Sequence, residues 1–209
     1  MSKIKIEQYV VGSVGTNCYF IVNQETNEVL MIDPGDQAEK LAERIKAASY
    51  QPKAILLTHG HFDHVLAVKK LSEQYGIPVY AHEGEKETLT DPRLNLSGMT
   101  GKNESYTADV YVTDKQTLTL AGFDIEVLHT PGHTDGGCCY YIAEHKALIS
   151  GDTLFAGSIG RTDFPNGSAQ ALISGIKQKL MVLPDDVIVY PGHMEQTTIL
   201  DERERNPFL

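Results

Sequence analysis

Four consecutive apolar residues, Ala54, Ile55, Leu56 and Leu57, run without a spacer into Thr58-His59-Gly60-His61-Phe62-Asp63-His64. This junction constrains the fold more than any other feature of the chain. A short, wholly apolar run fits a strand buried on both faces. His59 and His61 are two residues apart, so an extended backbone points both rings the same way. A helix would turn them about 200° apart. Asp63 and His64 stand where the chain turns into a helix, facing the same cavity from the other side. Gly60 lets the backbone turn tightly. Four ligand-type side chains within six residues, at the end of a buried strand, suit a metal site. The alternative is a cluster of polar residues on the surface.

The remainder of the chain supplies matching pieces. Strands are predicted over 3–11, 17–23 and 29–32, and Asp33-Pro34-Gly35 ends the third. Apolar residues at helical spacing predict a helix over 36–48 and a second over 64–75, with Gly76 placed to end it. Residues 78–81 read as a strand. The stretch 83–107 reads as a short helix and a long loop, the kind that often rims a pocket. Strands return over 110–113, 117–120, 123–129, 138–143 and 147–150, with 144–146 as a hairpin turn. A helix over 169–183, a buried strand over 187–190 and a short polar helix complete the chain. Strands and helices alternate in two similar halves. That order suggests two sheets face to face with helices outside, although periodicity alone allows other α/β layouts.

Three more ligand-type residues follow predicted strands directly. His133 lies in Thr130-Pro131-Gly132-His133, Asp152 in Ser150-Gly151-Asp152, and His193 in Tyr190-Pro191-Gly192-His193. Each sits on a turn that can reach one edge of the sheets. The composition is compatible with such a site. The 209 residues leave room for one domain, 1–209, whose core needs no disulfides. A net charge of -10 argues against nucleic acid as the main partner. No leader-like apolar stretch follows the N-terminal lysines, and no run is long enough to span a membrane. Three cysteines, Cys18, Cys138 and Cys139, make a poor disulfide framework, so a cytoplasmic location is expected.

The series H-x-H-x-D-H, P-G-H, G-D and P-G-H resembles the metallo-β-lactamase superfamily. The string from Gly151 to Phe164, GDTLFAGSIGRTDF, is similar to that of short glyoxalase II-like (hydroxyacylglutathione hydrolase-like) hydrolases. The tail Glu202-Arg203 to Asn206-Pro207-Phe208 resembles their C-terminal signature. The resemblance covers essentially the whole chain and implies an α/β fold, the four-layer αββα sandwich. It implies two divalent metal ions per chain, one held by His59, His61 and His133 and the other by Asp63, His64 and His193, with Asp152 bridging. It also implies catalytic roles for Asp63 and Asp152. Nitrogen and oxygen ligands suit zinc first, with iron or manganese also compatible. The implied reaction is attack of a metal-bridging hydroxide on a small-molecule thioester such as S-lactoylglutathione or a related acyl-thiol. No nucleic-acid or membrane partner is expected, and the oligomeric state is not legible.

Other residues have two readings each. Arg161 is a candidate for binding a substrate carboxylate, or it pairs with Asp163 to fix a loop. Cys18, Cys138 and Cys139 read as core residues. His145 reads as an exposed turn residue, His129 as a satisfied core histidine rather than a neighbour of the metal ligands, and His82 is unassigned. After Pro191-Gly192-His193 the subfamily pattern leads to Gly-Pro, but Met194-Glu195 stand here. The helical extension with which classical glyoxalase II grips glutathione is not expected in this chain. A mononuclear iron persulfide dioxygenase of the same fold is the rival enzyme, using residues matching His59, His133 and Asp152. A β-lactamase ranks lower because Asp152 stands where many of those enzymes place a cysteine. A flavodiiron-type carrier would need an acidic residue at His61, and an RNA-processing phosphodiesterase would need extra domains or arms. A non-catalytic metal-binding module is the third class.

Overall fold

A computed structural model describes residues 3–209. Its first sheet contains β1 (Ile4–Val11), β2 (Thr16–Asn23), β3 (Glu28–Ile32), β4 (Gln51–Leu56), β5 (Val79–His82) and β6 (Val110–Val112), in that spatial order. The first three pair antiparallel and the pairs from β3 to β6 are parallel. The second sheet begins with β7 (Thr117–Leu120), β8 (Phe123–His129), β9 (Cys138–Ile142) and β10 (Ala147–Gly151). A small hairpin, β11 (Leu154–Phe155) and β12 (Ser158–Ile159), follows, and then β13 (Ile188–Pro191) and β14 (Thr197–Thr198) join the second sheet beyond β10.

Side-chain alternation divides the apolar residues among three cores. On β2, Cys18, Phe20 and Val22 face one side while Tyr19 and Ile21 face the other. The first set packs with helices α1 (Ala38–Ala48), α2 (Phe62–Val65) and α3 (Val68–Tyr75). The second set meets Phe123, Ile125, Val127, Tyr140 and Ile149 of the opposing sheet. On β9 the same alternation sends Cys138 to the core between the sheets and Cys139 to a third core under helix α5 (Ala169–Gly175). Helix, sheet, sheet and helix are thus the four layers of an αββα sandwich. A short helix α4 (Lys86–Thr90) leads into the long rim segment, and α6 (Ile199–Arg205) lies near the C-terminus. No helix among the described residues is long and apolar enough to cross a membrane.

Several boundaries differ from the sequence reading. The helix expected over 36–48 begins at Ala38, because Gln37 is left-handed with φ 56°. The helix expected over 64–75 divides into α2 and α3: the Ala67 amide donates to the Pro34 carbonyl at 3.0 Å, outside the helical ladder. Gly76 does end α3, with φ 63°. The helix expected over 169–183 changes pitch after Gly175 into a π-helical turn, Ile176–Leu180. The turn at 144–146 is a 3-10 turn, Ala143–His145. The pairings of β11, β12 and β14 span only two residues each, too short for a periodic signal.

The core between the sheets holds the two halves in register. Replacing Ile125, which has no exposed surface, by alanine should lower unfolding stability by about 2–5 kcal/mol, read from urea denaturation. A change under about 1 kcal/mol would mean that this seam contributes little.

Candidate metal centre

The strands β8, β10 and β13 run in one direction, and their C-terminal ends lie on the edge where β4 also ends. The Cys138 amide at the start of β9 donates to the Thr58 carbonyl at 2.9 Å, joining the two sheets beside the ligand segment. The Tyr140 hydroxyl adds a bond to the Leu57 carbonyl at 2.8 Å. From this seam the turns carrying His59–His64, His133, Asp152 and His193 enter one space. Glycine is required at two of these turns. A Cβ on Gly192 would lie 2.3 Å from Asp152 Oδ1 and 2.9 Å from His64 Cε1. Gly132 has φ +131° and would place a Cβ 2.5 Å from the Leu172 amide nitrogen.

All seven residues expected as ligands come together. His59, His61 and His133 form one group whose donor atoms lie within 4.8 Å of one another, and Asp63, His64 and His193 form another. Asp152 sits between them. Its Oδ1 is 3.5 Å from His64 Nε2, and its Oδ2 is 3.5 Å from both His133 Nε2 and His193 Nε2. The Nε2 atoms of His59, His61, His64 and His133 and Oδ1 of Asp152 are buried with no hydrogen-bond partner. Buried polar atoms are rarely left so. Five of them converging in one space fit divalent cations, and the nitrogen and oxygen donors suit zinc, iron or manganese.

The opposite faces of the rings are fixed by protein groups. His59 Nδ1 lies 3.1 Å from the Thr58 hydroxyl, and His64 Nδ1 lies 3.0 Å from Asp33 Oδ2. Asp33 also accepts the Thr58 hydroxyl at 2.6 Å and the Thr58 amide at 2.8 Å. His133 Nδ1 meets the Arg161 carbonyl at 2.7 Å, so Nε2 is the atom left for an ion. His193 Nδ1 faces the Gly15 carbonyl at 3.3 Å. Burial, reinforced by the neighbouring histidines, pushes the His59 and His61 pKa values well down, so both rings are neutral donors. Burial opposes charge on His64 too, but Asp63, Asp152 and Asp33 outweigh it and raise its pKa to about 10. Burial opposes charge on Asp63 as well, but the charge on His64 and the hydrogen bonds from His193 and Thr16 outweigh it and hold this carboxyl below the ordinary carboxylate range. This half of the centre therefore pits a proton against an ion.

Three residues of the centre's support are missed by a sequence reading centred on histidines. Asp33 is one: its φ of 48° aims a carboxylate at both Thr58 and His64. Its only local signal is an aspartate directly after a strand. Asn17 is the second. Its side chain donates to the carbonyls of Pro191 and Met194, both at 2.9 Å, and so holds the turn carrying His193. Glu85 is the third, fully buried. Its Oε2 accepts the Gly60 amide at 2.8 Å, between His59 and His61. Its Oε1 accepts the Gly136 amide at 2.8 Å and the Thr134 hydroxyl, just after His133. Burial pushes this carboxyl up to about 7 even with those donors, and Thr88, pulling it down. Nothing local in the sequence separates Glu85 from the exposed acids of its helix.

Arg161 lies at the mouth of the cleft and forms two hydrogen bonds of 2.7 Å to Asp163, so the structure makes the internal pair. The three cysteines are free and buried. His82 stacks on His129 with ring centroids 3.9 Å apart, and His129 Nε2 reaches the Asp135 carbonyl at 2.9 Å. His129 is half-buried at the sheet edge rather than within the core. The exposed-turn reading of His145 is corrected: its ring packs edge-on against Phe123 at 5.6 Å and Nε2 is buried.

Glu85→Gln tests the brace. Glutamine offers one acceptor where the carboxylate offers two, so a loss of about 1–3 kcal/mol in unfolding stability is expected. Metal affinity at the His59–His61–His133 group should fall with it, read by competition with a chromophoric chelator. Unchanged stability and affinity would show that the two loops hold their places without this residue.

The family model described as the metallo-beta-lactamase superfamily matches residues 11–193. A Bacillus subtilis protein named a probable metallo-hydrolase, YqgX, is 40% identical over 208 residues, covering 99% of this chain and 98% of its own length. The Haemophilus influenzae hydroxyacylglutathione hydrolase GloC is 38% identical over 212 residues, covering 99% and 98%. Among solved structures, the BLEG-1 B3 metallo-beta-lactamase superposes with a TM-score of 0.93 at 41% identity, covering 98% of this chain and 99% of its own. TTHA1623 in a di-iron-bound form gives 0.87 at 36%, covering 97% and 100%. ETHE1 from Myxococcus xanthus gives 0.79 at 27%, covering 97% and 83%. The seven converging ligand-type residues and these likenesses along nearly the full chain place this protein in the metallo-β-lactamase superfamily, as a metallo-hydrolase.

Proposed function

We propose that the chain is a thioester hydrolase of glyoxalase II type. The observation that carries this reading is the completeness of both ligand groups around one shared carboxylate, Asp152. A single-ion dioxygenase would need only His59, His133 and Asp152. Four further ligand-type residues, His61, Asp63, His64 and His193, are built into the same space. The likeness to GloC supports a thioester as the bond cleaved.

In this reading His59, His61 and His133 would hold one ion, Asp63, His64 and His193 would hold the second, and Asp152 would serve both. When bound, two such ions supply an acidified water as nucleophile and a Lewis acid for the carbonyl. The protein's part is positional. Asp33, Thr58 and the Arg161 carbonyl fix the ring orientations. Thr16 donates to Asp63 Oδ2 at 2.8 Å and sets that carboxylate. A thiolate leaves with little need for protonation, so no separate acid and no serine or cysteine nucleophile is assigned. Zinc is the metal first proposed, although the di-iron neighbour shows that this fold also accommodates iron. Three free cysteines support a reducing, cytoplasmic setting.

Two neighbours define rival reactions with distinct readouts. ETHE1 motivates a test for oxygen uptake with a persulfide, and the neighbour described as a B3 metallo-beta-lactamase motivates a test for β-lactam opening. Purified protein should hold about two metal ions per chain by elemental analysis and cleave S-lactoylglutathione without consuming oxygen. One iron per chain, oxygen uptake with a persulfide and no thioester cleavage would overturn the hydrolase reading. Asp152→Ala should lose both ions, because its carboxylate serves each; retention of both would remove it from the ligand set. His193→Ala should empty the second site and lower thioester turnover by orders of magnitude, whereas a single-iron enzyme would be little affected.

A further inference from the structure

The cleft above the metal centre encloses about 430 Å³, and much of its wall away from the ligands is apolar, including Val14, Leu96, Phe155, Ile159, Phe164 and Met194. Two of these residues carry an unusual backbone. Eleven non-glycine residues among those described have positive φ. Nine are polar, charged or alanine; the other two are Leu96 and Met194, both with φ 64° and both lining this cleft. A long apolar side chain is disfavoured in the left-handed region and gains nothing there from local hydrogen bonding. Such strain persists where surrounding bonds impose it, and it concentrates at ligand clamps. The bonds are present. Asn17 holds the Met194 carbonyl, the Asn95 carbonyl accepts the Phe62 amide at 2.8 Å, and Asn95 Oδ1 accepts the Ser97 amide at 2.8 Å. Met194 keeps half of its surface open to the cleft and solvent, so it is not retained to fill the core.

The charge at the mouth points the same way. Arg161 is the one cation among the lining residues, and Asp163 neutralises it through two bonds while its guanidinium lies 4.0 Å over the Phe164 ring. The wall therefore offers no net positive charge to an anionic arm, and it offers apolar surface to an uncharged one. We propose that the cleft selects acyl thioesters whose thiol arm is apolar and uncharged, with Leu96 and Met194 as specificity-determining residues. This rests on the hydrolase reading and names the substrate class for it.

The test is a series of lactoyl thioesters of propane-, butane-, pentane- and hexanethiol, compared with S-lactoylglutathione. The value of kcat/KM should rise by up to about fourfold for each methylene the cleft buries and exceed that for the glutathione ester. Met194→Gly should flatten this dependence through KM while leaving metal content unchanged and the thermal midpoint equal or higher, since glycine accepts the left-handed backbone. A purely structural methionine would move the midpoint down and leave the slope intact, which overturns the assignment. A flat or falling dependence in the wild type, with turnover present, overturns the proposed selectivity and spares the hydrolase reading. If no thioester turns over, the hydrolase reading fails, and binding of the thiols to zinc-loaded protein decides the cleft separately. Calorimetry should then show hexanethiol binding at least tenfold more tightly than 2-mercaptoethanesulfonate. Equal or reversed affinities overturn the proposal.

Discussion

The site depends on the seam between the two sheets. Tyr140 and the Cys138 amide on one sheet bond to the Leu57 and Thr58 carbonyls on the other, immediately before the first ligand. Below that seam lies the interdigitated core containing Ile21, Leu56, Phe123, Ile125 and Ile149. Residues 59–64 come from one sheet, and His133, Asp152 and His193 follow strands of the other. A slip of one residue in the strand pairing of either sheet would turn that strand's inward-facing side chains outward and separate the two ligand sets. Packing energy spread over dozens of apolar contacts thus enforces a geometry that the polar groups could not maintain alone.

The polar groups themselves oppose the fold. A buried imidazole nitrogen without a partner costs about 1–3 kcal/mol, and four of them share this centre with one oxygen of Asp152. Cation binding offsets such costs and couples to stability. The outer bonds make the arrangement selective. Asp33, Thr58 and the Arg161 and Gly15 carbonyls occupy the Nδ1 side of four rings and leave Nε2 directed inward. Glu85 joins the two ligand loops by accepting from both, so neither loop can shift without exposing an amide to an apolar interior.

Backbone strain is concentrated at the same place. Asp33 occupies the left-handed region to serve Thr58 and His64, while Leu96 and Met194 occupy it on the cleft wall. A non-glycine residue there costs of order 1–3 kcal/mol. The surrounding hydrogen bonds of Asn17 and Asn95 hold these turns in place. The departure at Met194, where the subfamily pattern leads to glycine, is therefore a change of wall chemistry that leaves the ligand turn intact.

The seven ligand-type residues that converge here were legible in the chain because each lies beside its own strand signal. An apolar run followed by His-x-His, two Pro-Gly-His turns and a Gly-Asp turn are local patterns whose meaning survives without coordinates. The division of Cys138 from Cys139 is equally local, since alternation along a strand needs only a count of residues, whereas the two-sheet order came from the family resemblance because periodicity alone allows other α/β layouts. Tertiary structure decided what depends on distant partners. Asp33, Asn17 and Glu85 acquire their roles from groups 25 to 177 residues away in sequence, and no window around them differs from an ordinary turn or helix. The division of the helix at Ala67 required the Pro34 carbonyl, and the half-buried place of His145 required the Phe123 ring. Residue type and spacing determined which atoms can bind a cation, whereas packing across the seam decided which atoms hold them still and what lines the space above.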